Sequence, residues 1–106
     1  MKISYSRLFV KDINEIADYI QNVLCNPASA KKLKISFFSE VKRLAESPYL
    51  GEALPPGFRI DNNDLRKLVF KNYLIIYRVT DQIIAERVLY GRRDWLRILS
   101  ADSQNL

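Results

Sequence analysis

The chain has 106 residues, 48% of them hydrophobic and 11% aromatic, and its 17 Lys/Arg against 12 Asp/Glu give a net charge of +5. That size and composition fit a single domain spanning residues 1–106 and exclude a disordered chain. Histidine is absent and cysteine occurs once, at Cys25, which excludes tetrahedral zinc sites, an internal disulfide, and Cys–His or Ser–His catalysis.

Ile3 to Tyr5 reads as a short opening strand. From Phe9 to Leu24, apolar residues at Ile13, Ile16, Ala17, Ile20 and Leu24 recur with the spacing of one helical face. Asp12, Glu15 and Asp18 occupy the early turns, where the helix dipole favours negative charge. Asn26-Pro27 ends this helix, and a second follows over Ala28 to Glu46. Its stripe is Ala30, Leu33, Phe37, Val41, Leu44 and Ala45, with Lys31, Lys32, Lys34, Lys42 and Arg43 mainly on the other faces. Two such helices joined by a tight turn form an αα-hairpin that needs a further surface to bury its stripes.

Ser47 to Asn63 holds Pro48, Gly51, Pro55, Pro56 and Gly57, the composition of a long loop. Three strands follow at Leu65–Phe70, Tyr73–Val79 and Ile83–Tyr90, linked by Lys71-Asn72 and Thr80-Asp81-Gln82. Connections this short force antiparallel pairing. The expected fold class is therefore α+β, an N-terminal αα-hairpin packed on a small antiparallel β-sheet arranged as a meander. Strict alternation along the last strand places Ile83, Ala85, Arg87 and Leu89 on one face. A short helix over Asp94 to Leu99 and a frayed end from Ala101 complete the reading.

Charge is uneven: Arg59 to Arg97 holds nine Lys/Arg against five Asp/Glu, and residues 1 to 58 hold eight against six. The second half suits nucleic acid or an acidic protein partner. Arg92 and Arg93 stand just beyond the last strand, where guanidinium groups reach out from a sheet edge. Arg87 reads as a sheet arginine paired with a nearby carboxylate or one on a helix, and Arg78 as solvated or edge-facing. Tyr49, Tyr73, Tyr77 and Tyr90 read as core or rim residues, and Trp95 as a packing anchor. No Gly-rich phosphate loop or carboxylate cluster is present, so neither metal nor small-molecule cofactor is expected. The N-terminus lacks the apolar segment of a secretion signal, and no window approaches the roughly 18 to 20 apolar residues of a membrane span. A cytoplasmic protein without membrane contact is expected.

The chain resembles the RelE/ParE superfamily of bacterial toxins from type II toxin–antitoxin modules. The likeness rests on Leu44-Ala45-Glu46-Ser47-Pro48 with Gly51, Leu65-Arg66-Lys67-Leu68, Asn72 to Val79, and Arg87 to Asp94. It implies a growth-arresting toxin neutralised by a cognate acidic antitoxin. One branch cuts messenger RNA on the ribosome and the other poisons DNA gyrase. The nuclease branch implies catalytic roles for Lys67 and Arg93. Leu65 and Leu74 stand where that branch carries basic residues, and Leu99 where it carries a tyrosine. A leucine can neither screen a phosphate nor move a proton, so the resemblance leans to the ParE branch, with Arg66, Lys67, Arg92 and Arg93 as target- or nucleic-acid-binding residues. The alternatives are a ribosome-dependent endoribonuclease and a degenerate module that only binds antitoxin.

Overall fold

The computed structural model describes residues 1–92 and 94–104, the last three as backbone. In chain order the elements are β1 (Lys2–Tyr5), α1 (Arg7–Asn22), α2 (Pro27–Glu46), β2 (Glu52–Ala53), β3 (Arg59–Ile60), β4 (Asn63–Phe70), β5 (Tyr73–Val79), β6 (Gln82–Tyr90) and α3 (Trp95–Gln104). The expected hairpin and meander are both present.

Local chemistry sets the helix boundaries. The Ser6 hydroxyl accepts from the Phe9 N–H at 3.0 Å and donates to the Glu86 carbonyl at 2.7 Å, so one side chain starts α1 and ties it to β6. Asn26 caps α2 by accepting from Ser29 N–H at 3.1 Å, with Pro27 in the first turn, where its missing N–H costs nothing. Cys25 turns the chain between the helices in the left-handed region, at φ 54°.

The sheet order is β1-β6-β5-β4-β2, with β3 also pairing β4. The meander is antiparallel throughout, and β1 adds to its far edge in parallel, from Lys2↔Gln82 to Tyr5↔Ala85. A parallel neighbour is possible here because the whole αα-hairpin lies in the intervening chain. The Ser47 to Asn63 segment is not loop alone. Leu54 N–H donates to the Leu65 carbonyl and Leu65 N–H to the Phe58 carbonyl, both at 2.9 Å, which lays β2 and β3 along the β4 edge. Gly51 is pinned beneath them. Its N–H donates to the Tyr77 hydroxyl at 2.9 Å, and an added Cβ would stand 2.6 Å from the Lys67 carbonyl oxygen. No side chain fits there.

One strand departs from simple alternation. Ile76 faces Arg87 but Tyr77 faces Ala85, leaving Glu86 as an extra residue. The bulge shifts the pattern, so Ile83, Ala85 and Val88 bury on the helix side while Leu89 buries on the other. The expected common face of Ile83, Ala85, Arg87 and Leu89 is thereby corrected. The helix-side core joins Phe9, Ile13, Phe37, Val41 and Leu44 to Ile75 and Tyr77. The opposite core is Leu54, Leu65, Leu74, Ile76, Leu89 and Leu99, roofed by α3 and the β2–β3 segment. Helix α3 runs past the expected Leu99, through Ala101, to Gln104. Leu99, only 2% exposed, is what docks it. Among the described residues, no helix is long and apolar enough to cross a membrane.

Candidate functional site

Strand β1 ends opposite Ala85, so the outer edge of β6 beyond that point has no strand neighbour. Side chains of α1 close it. The Asp12 carboxylate holds Arg87 through both oxygens, at 2.7 and 3.0 Å, and also accepts from the Val88 N–H at 2.9 Å. A carboxylate with three donors, 8% exposed, blocks this edge more firmly than an apolar contact would. A helix carboxylate is thus a partner of Arg87.

Beyond this bracket a cleft of about 610 Å³ opens between α1, the end of β6 and α3. Glu15, Ile16 and Tyr19 form its α1 wall, Val88 and Tyr90 its floor, and Arg92 and Ile98 its rim. Arg92 is exposed and makes no ion pair with any described residue. Arg93, the other candidate at this turn, lies outside the described residues.

The remaining candidates are engaged elsewhere. Arg66 and Lys67 leave β4 on opposite faces. Arg66 Nε donates to the Gly51 carbonyl at 2.9 Å, and its guanidinium lies 5.1 Å from the centroid of the Tyr49 ring. Lys67 Nζ sits 5.0 Å from the Trp95 ring centroid and 3.9 Å from a Glu52 oxygen. Two strand spacings, roughly 10 Å, separate β4 from β6, so the structure does not gather Arg66 and Lys67 around Arg92. Arg78 is not solvated as expected. Its side chain is 13% exposed, with Nε 2.9 Å from Glu86 and a terminal nitrogen 3.5 Å from Asp61, because the bulge brings Glu86 to it.

Two of the tyrosines, Tyr73 and Tyr77, are held in the fold. Burial, reinforced by its hydrogen bond and charge coupling with Tyr90, pushes Tyr73 up to about 12, so its hydroxyl stays protonated at neutral pH. Tyr77 is fully buried and its hydroxyl donates to the Pro48 carbonyl at 2.8 Å. Among the described residues no three metal-ligating side chains cluster. Asp12, Glu15 and Tyr19 were not singled out as site residues from the sequence. A signal existed for Asp12, which falls three residues after Phe9 and four before Ile16, on the apolar stripe. An acid there calls for a buried cationic partner.

A basic α+β domain with a cleft beside its last strand and a cation on the rim is equipped to bind. The chain belongs to the ParE toxin family of type II toxin–antitoxin systems (parDE), whose family model matches residues 3–95. Its fold is similar to a chain of the chromosomal ParDE toxin–antitoxin system from P. aeruginosa, with a TM-score of 0.68 and 22% identity over 85% of this chain and 95% of that one. No curated protein matches it significantly.

Proposed function

We propose that the protein is a cytoplasmic toxin that arrests growth by poisoning DNA gyrase and is neutralised by a cognate acidic antitoxin. Family membership gives the toxin–antitoxin frame. The observation that carries the target is the division of labour among the cations of the meander. Arg66, Lys67, Arg78 and Arg87 hold the fold together, while Arg92 stands exposed on the cleft rim. Arg92, with Arg93 next to it in sequence, contacts the gyrase–DNA target. The antitoxin's acidic segment occupies the cleft and covers Arg92, drawn by opposite charge.

A ribosome-dependent nuclease would place Lys67 and Arg93 at the scissile phosphate. Lys67 already lies against Trp95 and Glu52, and Leu99 is core. Both facts favour the gyrase reading. Purified protein incubated with gyrase and supercoiled plasmid is expected to trap cleaved plasmid, and adding the antitoxin is expected to release it. Absence of cleaved complexes at excess toxin, together with codon-linked cuts in translated messages, would reject gyrase in favour of the ribosome.

A further inference from the structure

Helix α2 carries charge that the fold does not use. From Pro27 to Ser39 it has three lysines and no carboxylate. Two other cations of the helical layer have partners, Lys11 with Glu15 at 3.9 Å on α1 and Arg43 with Glu40 at 2.7 Å at the end of α2, while Arg7 at the start of α1 makes no ion pair with any described residue. Lys31, Lys32, Lys34 and Lys42 make no ion pair with any described residue. The buried stripe, Ala30 to Leu44, turns Lys31, Lys32 and Lys42 outward. Lys31, Lys32 and Lys42 flank Ile35 and Ser39 on the exposed face, and Lys34 is half-buried at its margin. Like charges three residues apart, as in Lys31 and Lys34, cost helix stability. Local sequence that works against the helix without compensation within the fold marks a surface shaped for a partner.

We infer that the outer face of α2 is a docking surface for the phosphate backbone of duplex DNA. This deepens the gyrase reading, on which its biological sense rests, by giving the toxin its own hold on the DNA that gyrase handles. Three features select this occupant. The lysines spread over twelve residues, Lys31 to Lys42, roughly 16 Å of helix, which matches the rise of about five base pairs. Their ammonium groups are point charges without the bidentate fork that carboxylate recognition exploits, and lysine is depleted in the cores of protein interfaces. The face also lacks what the other anionic surfaces need. Ile35, 60% exposed, is its large apolar residue, and no exposed aromatic is present on which single-stranded bases could stack.

The test is fluorescence anisotropy of the whole protein with a short labelled duplex, gyrase absent. With four phosphate contacts, affinity is expected to fall roughly a hundredfold between about 50 and 200 mM salt. Each single change, K31Q, K32Q, K34Q or K42Q, is expected to lower the log–log salt slope by about 0.9. Replacing all four by Gln should abolish most binding, and replacing all four by Arg should retain it. Thermal melting checks that each variant is folded, and the single changes carry the test if the quadruple variant is not. Unchanged binding by the Gln variants overturns the inference, as does equal affinity for a single strand of the same length. Preference for poly-glutamate over the duplex also overturns it and points to an acidic protein. Because gyrase is absent, a protein that binds duplex this way yet never traps gyrase would sink the gyrase reading alone.

Discussion

The two faces of the sheet are built to different standards. On the helix side, fourteen buried residues form a continuous core, with Phe37 set edge-on to Phe70 and Tyr73 at 5.6 and 5.1 Å. On the other side six buried residues lie beneath a ten-residue helix and a Pro-rich segment, and Val69 at the margin is left 66% exposed. The first face folds the protein. The second, thinner face ends at the turn that carries Arg92, so the α3 rim of the cleft, at Ile98, rests on the smaller core while its α1 wall, at Ile16, rests on the larger. Recognition surfaces are commonly drawn from such less stable regions.

The largest expected effect tests that contrast. Phe37→Ala should lower unfolding free energy by about 3–5 kcal/mol, since it empties a fully enclosed site. Leu99→Ala should cost about 2–3 kcal/mol, at the low end for leucine, because α3 can settle into the space. Urea denaturation reads both. Equal losses would mean that the two faces are packed to the same standard.

Next comes the bracket between α1 and β6. Asp12→Ala removes the carboxylate that accepts from the Arg87 guanidinium and the Val88 N–H, and should cost about 3 kcal/mol. Combining Asp12→Leu with Arg87→Met removes the cation together with the carboxylate. The double variant should regain all but the roughly 1–2 kcal/mol owed to the unsatisfied N–H. If it is no more stable than Asp12→Ala, the packing of α1 rather than charge pairing holds this edge.

A smaller effect is tied to pH. Tyr73 titrates near 10 when unfolded and is raised to about 12 in the fold, chiefly by burial. The native state therefore binds this proton more tightly. Its contribution is fully present below pH 10 and is lost as pH rises toward about 12. Melting temperature should fall across that window, and Tyr73→Phe should flatten the fall. An identical slope in the variant would show that other groups control alkaline unfolding.

What could be read beforehand follows the same division. Helix stripes and β-branched runs report burial directly, so α1, α2 and the meander were legible. Hidden were features decided by contacts distant in sequence. The Glu86 bulge moves Val88 and Leu89 to the faces opposite those alternation gives, and no local composition announces it. The parallel pairing of β1 joins residues about eighty positions apart. Charge proved most ambiguous. Arg78 and Arg87 look no different in sequence from Arg92, yet two are consumed by Glu86 and Asp12 while the third stays on the rim.

That last distinction yields the smallest effect on stability and the sharpest on function. Arg92→Ala removes an exposed side chain that pairs with no described residue, so unfolding free energy should change by no more than about 0.5 kcal/mol. If the rim cation contacts the target, trapping of cleaved plasmid by gyrase should still weaken about tenfold, the effect of losing roughly 1.4 kcal/mol of contact. Arg92→Lys should fall between the two, keeping the charge without the fork. A variant that loses stability and activity together would assign Arg92 to the fold alongside Arg78 and Arg87. Full activity with full stability would leave the rim without a role and move the target contact onto Arg93 or the lysines of α2.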